Sequence, residues 1–539
     1  MASDSAGAPY AAPITLSLVA ALAVIAVVLM GVWHTPLILD SSVHLYLGQA
    51  MLRGATPYES IIYIHMPLRF ALSWSWAWSA QFLGLDVIAV TRLLHVGVGL
   101  LLLVLVYQVS ADFTAKAFGG VLAGLLLLGI ETAWLHPIAY GGPHFKLWAA
   151  LLVMLTIWLS QRERWLWTGV ALACAASIWL PSLVIGLGVV AALWASSEQP
   201  WWQGLLQVIG GASIVFGLSL AWVLALGAWR PFVDQVLLAS LSFLSPAGGS
   251  SAASTETFWM LIDLAKLAER VAIYFRGDLL LAIICGAGLL WSLLRVRQSW
   301  SAARSVLLIG VLPLLVLILA ESGSGDFLVL FPLLAVFGAD LLVTGAEWLA
   351  AQLAEARLPL PVNTVIGGML MVSLLIYGWL DLRFDERRAS DVVGLHELSV
   401  MAVDLDGALQ ASDQVQSFQF LWFNVLTERD NATPMIQLGS RARRSLALAD
   451  SDLSTWQGDV LVSTSPALVF IQDGWATSDP FDDWLADDYL LAGEFVAFTA
   501  FGVDRDTELD RFAIYVRADR SDLLAATSEW PWLLRENRP

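Results

Sequence analysis

The sequence predicts a polytopic α-helical membrane protein that carries a C-terminal α/β domain outside the bilayer. Of its 539 residues, 58% are hydrophobic and only 14% are charged. Apolar runs of about 20 residues, the length that crosses roughly 30 Å of hydrocarbon, recur through the first part of the chain. The composition changes at Asp381, and residues 381–539 contain 28 acidic and 13 basic residues. We therefore divide the chain into a transmembrane domain, 1–380, and a soluble domain, 381–539.

The apolar runs predict about 11 transmembrane helices. The first covers residues 13–33, and its apolar core is too long for a signal peptide. In the stretch 165–197, Pro181 either kinks one long helix or separates two. The remaining predicted helices are 87–107, 117–135, 146–160, 165–180, 181–197, 204–228, 278–294, 305–320, 326–344 and 361–380.

Positive charge is distributed unevenly among the predicted loops. The outer loops 136–145 and 321–325 contain neither Lys nor Arg, whereas the inner loops hold Lys116, Arg162, Arg164, Arg295, Arg297, Arg304 and Arg357. This asymmetry follows the positive-inside rule with the N-terminus in the cytoplasm. The first outer loop, 34–86, and the soluble domain then share the extracytoplasmic side. An amphipathic helix over 257–276 is predicted to lie in the outer interface, with a packed re-entrant helix as the alternative.

The soluble domain is predicted to contain a helix near 391–411 and strands at Val460–Gln472, Tyr489–Phe501 and Phe512–Val516. Its excess of acidic residues argues against nucleic acid as a partner, because phosphate binding needs clustered Lys and Arg. The two cysteines, Cys174 and Cys285, fall in predicted membrane helices and indicate no disulfide framework. No metal site and no cofactor are predicted.

Ionisable residues gather at the predicted outer ends of the membrane helices. They are Asp40, His44, His65, Arg69, Arg92, Glu131, His136, His144, Lys146 and Arg230. Because ionisable groups at membrane depth are costly, such a collection indicates a functional site. A carboxylate can take a proton from an acceptor hydroxyl while fixed cations stabilise a departing phosphate. Arg92, Lys146 and Arg230 are the predicted partners of a phosphate held at the depth of the lipid headgroups.

The first outer loop also resembles that of the GT-C glycosyltransferases. In that superfamily, which includes the protein O-mannosyltransferases and the aminoarabinose transferases, an Asp, often followed by Glu, precedes an aromatic residue and Gly-x-x-Pro-Tyr. The matching residues are Asp40, Tyr46, Ala50, Leu52, Gly54, Pro57, Tyr58 and Pro67. Further resemblance lies in the run Gly325–Ala339 with Pro332, and in the soluble tail. The chain departs from the pattern at Ser41, where a Glu is common.

The resemblance implies an inverting transfer of one sugar from a polyprenyl- or dolichyl-phosphate carrier, with Asp40 as the general base. The acceptor would be a glycan, lipid or protein on the outer face of a prokaryotic plasma membrane, and mannose or another hexose is the expected sugar. A supporting catalytic role for His44 is our own hypothesis. The residues expected to bind substrate are Tyr46, Tyr58, His65, Arg69 and His144.

Two other functions remain open from the sequence. A transporter or flippase of lipid-linked glycan intermediates would be expected to show repeat-related broken helices with charges at the bilayer midplane. Here the polar residues collect at one surface, and no clear internal repeat is seen. A non-catalytic membrane scaffold with a glycan-binding ectodomain is the second alternative.

Overall fold

The computed structural model describes most of the membrane domain and the strands of the soluble domain. The described residues are 37, 39–63, 65–129, 144–195, 200–238, 279–295, 302–321, 327–355, 394–418, 420–436, 462–472, 479–498, 509–527 and 530, with isolated helical positions at 20, 23, 24 and 368. The predicted spans 13–33 and 361–380 lie outside the described residues except at those isolated positions. The predicted interfacial helix 257–276 lies wholly outside them.

The first outer segment is helical, where the sequence analysis expected a loop over 34–86. It forms helix α1 (Leu39–Leu52) and helix α2 (Pro67–Leu83). Asp40 lies in the first turn of α1, where its charge complements the positive end of the helix dipole. All ten residues from Ser41 to Ala50 are buried. Because α1 has no solvent-facing side, it lacks the apolar stripe by which an exposed helix is identified.

Nine further helices of the described residues coincide with predicted membrane spans. They are α3 (Val87–Thr114), α4 (Ala117–Gly129), α5 (Phe145–Gln161), α6 (Trp165–Ile178), α7 (Ile185–Ala195), α8 (Trp201–Ala225), α9 (Leu279–Arg295), α10 (Ala302–Glu321) and α11 (Phe327–Glu355). Within α3, α8 and α11, the stretches Val87–Thr114, Trp201–Ala225 and Leu328–Leu353 are long and apolar enough to cross a membrane. The other six are shorter apolar helices that pack with these three.

The stretch 165–197 forms two helices with a break between them. Trp179 has an extended backbone (φ −144°, ψ 101°), and a 3-10 turn, Leu180–Val184, follows it before α7 begins. This turn contains Pro181, which lacks an amide donor and so favours the break. The end of α6 thereby leaves the carbonyl of Ile178 to accept a hydrogen bond from a side chain of α2.

Two of the charges that the sequence analysis assigned to the inner loops, Lys116 and Arg162, lie at one end of the helix bundle. Lys116, between α3 and α4, forms an ion pair with Glu347 near the end of α11. Arg162, which follows α5, pairs with Asp112 near the end of α3 at 2.8 Å. Since α3 begins beside α2 and runs to this end, these ion pairs lie at the opposite end of α3 from the first outer segment.

The soluble domain is a small mixed sheet with helices around it. Its elements are α12 (Leu395–Ala408), β1 (Val415–Ser417), α13 (Trp422–Thr427), β2 (Leu468–Gln472), α14 (Asp479–Asp488), β3 (Tyr489–Phe498), β4 (Leu509–Arg517) and α15 (Ser521–Thr527). The strand order is β1-β2-β4-β3, with β1 parallel to β2 and the other pairs antiparallel. The predicted helix and three predicted strands correspond to α12, β2, β3 and β4, whereas β1 was not predicted.

The soluble domain packs directly on the first outer segment. One hydrophobic core contains Val43 and Leu47 of α1 together with Trp422 and Phe470 of the soluble domain. Beyond α1, the backbone amide of Ile62 donates a hydrogen bond to a carbonyl of the soluble domain at 2.9 Å. The fold therefore joins the two most polar parts of the chain into one packed unit.

Close packing of α1 on α2 depends on Gly48. A Cβ atom there would overlap the backbone oxygen of Ser73 and lie 2.7 Å from its carbonyl carbon. We expect Gly48→Ala to force the two helices apart and to destabilise the protein by about 1–3 kcal/mol. The measurement is the thermal unfolding midpoint of the protein in lipid nanodiscs.

The matched control for this substitution is Gly97→Ala in α3. A Cβ atom at Gly97 would have no neighbour within 4 Å. Alanine is favoured over glycine inside a helix by about 0.5–1 kcal/mol, so this variant should unfold at the same temperature or slightly higher. Equal midpoints for the two variants would contradict the close contact of α1 with α2.

Candidate active site

Asp40 and His44 lie one turn apart on the same face of α1. Asp40 is half-buried and His44 is buried. The ring centroid of His44 lies 4.1 Å from that of Phe145, the first residue of α5. This face of α1 therefore meets the N-terminal end of α5.

A buried guanidinium, that of Arg69 on α2, is fixed at the same place. Its Nε donates a hydrogen bond to the carbonyl oxygen of Ile178 at 2.6 Å. Its Nη1 donates to the hydroxyl oxygen of Tyr63 at 3.4 Å, and its Cζ lies 5.2 Å from the ring centroid of Phe145. The partly negative C-terminal end of α6 suits a cation there. Arg69 and His44 thus contact the same aromatic ring.

Tyr63 connects the cation to the carboxylate electrostatically. The pKa of the Tyr63 phenol is raised to about 12, and burial is the largest cause. The positive charge of Arg69 and its hydrogen bond oppose this rise, whereas the charge of Asp40 adds to it. Asp40 and Arg69 therefore both act on one phenol, which stays neutral at physiological pH. The ring of His65 packs edge-on against Tyr63 with centroids 4.5 Å apart.

His95 on α3 fixes the start of α5. Its Nε2 accepts hydrogen bonds from the backbone amide of His144 at 2.9 Å and from the indole Nε1 of Trp148 at 3.2 Å. Its Nδ1 lies 2.8 Å from the carbonyl oxygen of Thr91. Because Nε2 accepts from two donors, the proton of the neutral ring is assigned to Nδ1, which donates to Thr91.

His144 is a buried imidazole among positive groups. Burial holds its pKa well below the usual value, and the neighbouring Lys146, His44, His95 and Arg69 lower it further. His144 is therefore neutral at physiological pH and adds no positive charge to the site. In this state one ring nitrogen can accept a proton and the other can donate a hydrogen bond.

The site therefore combines the Arg69 guanidinium and the His44 imidazole at the Phe145 ring with the half-buried carboxylate of Asp40, one turn from His44 on α1. This set can accept a proton and stabilise negative charge without a metal. Among the residues that the structure describes, no group of three or more His, Cys, Asp or Glu side chains is placed to hold a metal ion.

Solved structures of an oligosaccharyltransferase and of ArnT are similar in fold to this chain. The oligosaccharyltransferase of Archaeoglobus fulgidus in its apo form matches 87% of this chain, with a TM-score of 0.57 and 11% sequence identity, over 70% of its own length. ArnT from Cupriavidus metallidurans in the apo state matches 94% of this chain, with a TM-score of 0.56 and 12% identity, over 98% of its length. In fold, the chain resembles the GT-C membrane glycosyltransferases.

A second structure of ArnT, bound to undecaprenyl phosphate, matches 92% of this chain and 97% of ArnT, with a TM-score of 0.53 and 12% identity. At these identities the similarity establishes the fold and leaves the reaction to be argued from the site. No family model and no curated protein matches the sequence. The GT-C-like fold and the apolar helices indicate an integral membrane protein.

Two predicted substrate residues make structural hydrogen bonds. The hydroxyl oxygen of Tyr46 accepts a hydrogen bond from the backbone amide of Asn431 at 3.0 Å, and burial raises its pKa to about 12. Tyr58 has a left-handed backbone (φ 67°), and its hydroxyl donates to the carbonyl oxygen of His65 at 2.7 Å. Both rings are buried. These contacts hold the segment that follows Asp40, and a direct role in substrate binding stays a prediction.

The three predicted phosphate ligands occupy different environments. Arg92 is buried on α3, and Lys146 is half-buried in the first turn of α5, two residues after His144. Arg230 is exposed on a short helix, Trp229–Phe232, that follows α8. The charge of Lys146 is one cause of the lowered pKa of His144. The phosphate-binding role of all three stays a prediction.

Three residues of the site were not identified from the sequence: Tyr63, Phe145 and His95. Tyr63 lies two residues before His65, and Phe145 directly follows His144, so both neighbour residues that the sequence analysis selected. The signal for Tyr63 was its position between Pro57-Tyr58 and Pro67. His95 lies inside an apolar helix, where a polar residue is itself an indication of function or of a buried hydrogen bond.

Proposed function

We propose that this protein transfers a single sugar from a polyprenyl- or dolichyl-phosphate carrier to an acceptor hydroxyl, with Asp40 as the general base. The observation that carries the proposal is the half-buried Asp40 carboxylate on the same α1 face as His44, whose ring contacts the Phe145 ring that Arg69 also contacts. The GT-C-like fold supports the choice of a lipid-linked donor, since ArnT has been solved bound to undecaprenyl phosphate and a related oligosaccharyltransferase with dolichol-phosphate.

In the proposed reaction, the carboxylate of Asp40 accepts the proton of the acceptor hydroxyl. The acceptor oxygen forms a bond to the anomeric carbon as the bond from that carbon to the phosphate oxygen breaks. The electron pair leaves with the phosphate, so the second product is the polyprenyl phosphate. Attack opposite the leaving group inverts the anomeric configuration, and one carboxylate suffices for that geometry.

Fixed cations stabilise the charge that grows on the departing phosphate. Arg69 suits this task because its guanidinium is already held by a helix-end carbonyl and a phenol, and so needs little reorganisation. Lys146 supplies a second positive charge at the start of α5, and we retain Arg92 and Arg230 as further phosphate ligands. His44 supports Asp40 from the next turn of α1, while His65 and His144 contact the sugar or the acceptor.

We further propose that the site faces the extracytoplasmic side of a prokaryotic plasma membrane. The position of the Lys116 and Arg162 ion pairs at the opposite end of α3 from α1 supports this orientation. Mannose or another hexose is the proposed sugar, and a surface glycan, lipid or protein is the proposed acceptor. The packing of the soluble domain on α1 suits a role in selecting the acceptor.

The decisive experiment uses the full-length protein in nanodiscs with three donors in parallel: dolichyl-phosphate mannose, an undecaprenyl-phosphate hexose and undecaprenyl-phosphate aminoarabinose. A lipid and glycan extract of the source cells supplies the acceptor. We expect acceptor-dependent release of polyprenyl phosphate from one donor, and a missing sugar in the surface glycans of a deletion strain. In a parallel assay with the protein in sealed liposomes, movement of the intact donor across the bilayer without release of its phosphate would favour a flippase. Unchanged glycans together with sugar binding would favour a scaffold.

A further inference from the structure

Four polar side chains form a line along α1 on the side that faces the soluble domain. They are Ser42, Tyr46, Gln49 and Arg53, which we call the docking stripe. Their spacing of four, three and four residues places them within about 60° of one another around the helix axis. Arg53 follows the last residue of α1, but its backbone amide still donates to the carbonyl of Gln49 at 3.1 Å, so the helical geometry continues to it.

Every residue of the docking stripe binds one short segment of the soluble domain, residues 421–431. The Ser42 hydroxyl accepts from the amide of Leu421 at 2.9 Å, and the Tyr46 hydroxyl accepts from the amide of Asn431. The Gln49 side-chain amide donates to a carbonyl of the segment at 3.2 Å. Two nitrogens of the Arg53 guanidinium donate to one oxygen of Asp430, at 2.9 and 2.7 Å.

Asp40 and His44 lie on the opposite side of α1 from the docking stripe. At 3.6 residues per turn, they are about 160° and 200° around the axis from Ser42. The soluble domain therefore binds one side of the helix, and Asp40 and His44 lie on the other. Any rotation that breaks the stripe also moves the Asp40 carboxylate, and it moves the His44 imidazole relative to the Phe145 ring.

The partner segment is itself rigid. The side chain of Asn431 accepts a hydrogen bond from the amide of Ser417 at 2.7 Å, and its amide nitrogen donates to the carbonyls of Thr433 and Met435, each at 3.2 Å. The neighbouring Trp422 is buried in the core of the soluble domain. The segment thus presents a preformed surface to α1.

Directional bonds matter here because apolar packing alone does not fix the rotation of a helix. The hydrophobic effect is non-directional, whereas hydrogen bonds weaken steeply away from linear geometry. A group about 5–6 Å from the helix axis moves by about 1 Å when the helix rotates by about 10°. Misplacement of a reacting group by about 1 Å can lower a rate by about 100-fold.

We propose that residues 421–431 position the site-bearing helix, so that docking of the soluble domain on Ser42, Tyr46, Gln49 and Arg53 sets the angle at which Asp40 faces the substrate. The proposal rests on the function proposed above for Asp40. The four stripe residues are positioning residues, since they act through α1. The soluble domain then contributes to sugar transfer by fixing the orientation of α1.

A charge exchange tests this proposal. Arg53 and Asp430 are 28% and 66% exposed, so their substitution leaves the core intact. We expect Arg53→Glu and Asp430→Arg each to lower kcat by about fivefold to tenfold, a fraction of the cost of a full 1 Å displacement. The donor KM should stay within about twofold, because the phosphate ligands are not on α1. The double variant, which restores the pair with reversed signs, should recover most of the wild-type kcat.

Arg511→Glu is the matched control. Arg511 is an exposed arginine of the same domain, 3.8 Å from Glu494 on the neighbouring strand, and its pair does not involve α1. A loss of kcat in Arg511→Glu equal to that in Arg53→Glu would overturn the proposal, as would parallel changes in kcat and KM or a double variant no better than the singles. Tyr46→Phe, which removes the acceptor for Asn431, should behave like Arg53→Glu.

Hydrogen–deuterium exchange of the amides of α1 gives a second readout that needs no activity. We expect faster exchange over residues 41–50 in Arg53→Glu, with protection restored in the double variant. If the wild-type protein transfers no sugar from any donor, the proposed function fails, but the exchange data still test whether residues 421–431 hold α1 in place. If transfer occurs and exchange does not change, the docking proposal alone is overturned.

Discussion

Replacement of Asp40 by Asn should lower the rate of sugar transfer by about 10²- to 10⁴-fold, the usual contribution of a general base. The amide keeps the size of the carboxyl group but cannot take the acceptor proton. Binding of the lipid-linked donor should change little, because Asp40 acts on the acceptor. The measurement is single-turnover release of polyprenyl phosphate in nanodiscs, together with the affinity for the donor.

Asp404→Asn is the control for this variant. Asp404 lies on α12 in the soluble domain, where its carboxylate accepts a hydrogen bond from the indole of Trp530 at 3.0 Å. The substitution makes the same chemical change away from the proposed reaction, so transfer should stay within about twofold of wild type. An Asp40→Asn protein with the wild-type rate would remove Asp40 as the base and leave the transporter or the scaffold as the better account.

Arg69→Met is expected to have the second largest effect. It removes the cation that is assigned to the departing phosphate, and a hydrogen bond to a charged group contributes about 1.5–3 kcal/mol. Transfer should therefore fall by about 10- to 150-fold in kcat/KM. The substitution also leaves the Ile178 carbonyl without the Nε donor and removes the guanidinium from the Phe145 ring. The rate should be measured with the unfolding midpoint, so that the two effects are separated.

Arg69→Lys distinguishes charge from geometry. Lysine keeps the positive charge but lacks the planar fork that reaches the Ile178 carbonyl and the Tyr63 hydroxyl at once. We expect a rate between those of Arg69→Met and the wild type. If both variants unfold at the wild-type temperature and transfer sugar at the wild-type rate, Arg69 has no part in the reaction.

The membrane helices were predictable because each is marked by a local property, its apolar length. The 28 residues of α3 stand out in any window. Asp40 was found by its motif, which is also local. The choice between one helix and two at Pro181 needed the structure, because it depends on contacts between distant residues. Gly204, near the start of α8, is an example. A Cβ atom there would contact both Trp165 at the start of α6 and Leu193 near the end of α7, so these two helix ends lie beside one another.

Which residues come together in the site was harder to predict than the position of Asp40. Asp40, His44, Arg69 and His144 were selected as ionisable residues near the bilayer surface, but nothing local indicates that His44 and Arg69 contact the same ring, that of Phe145. Phe145 itself looks like any apolar residue at the start of a membrane helix. The docking stripe was missed for a different reason. Because α1 is buried on all sides, its sequence lacks the apolar stripe of an exposed helix, and its polar residues led to the prediction of a loop.

The packing of α1 on residues 421–431 has a consequence for the biogenesis of the protein. The bonds between them join residues 376 to 385 positions apart. At about 5–20 residues per second, the ribosome completes the partner segment roughly 20 to 80 s after α1. In a nascent chain whose membrane helices are already inserted, the orientation of α1, and with it that of Asp40, would not yet be fixed. Newly made protein would therefore be inactive toward lipid-linked donors until residues 421–431 have been synthesised and the soluble domain has folded on α1.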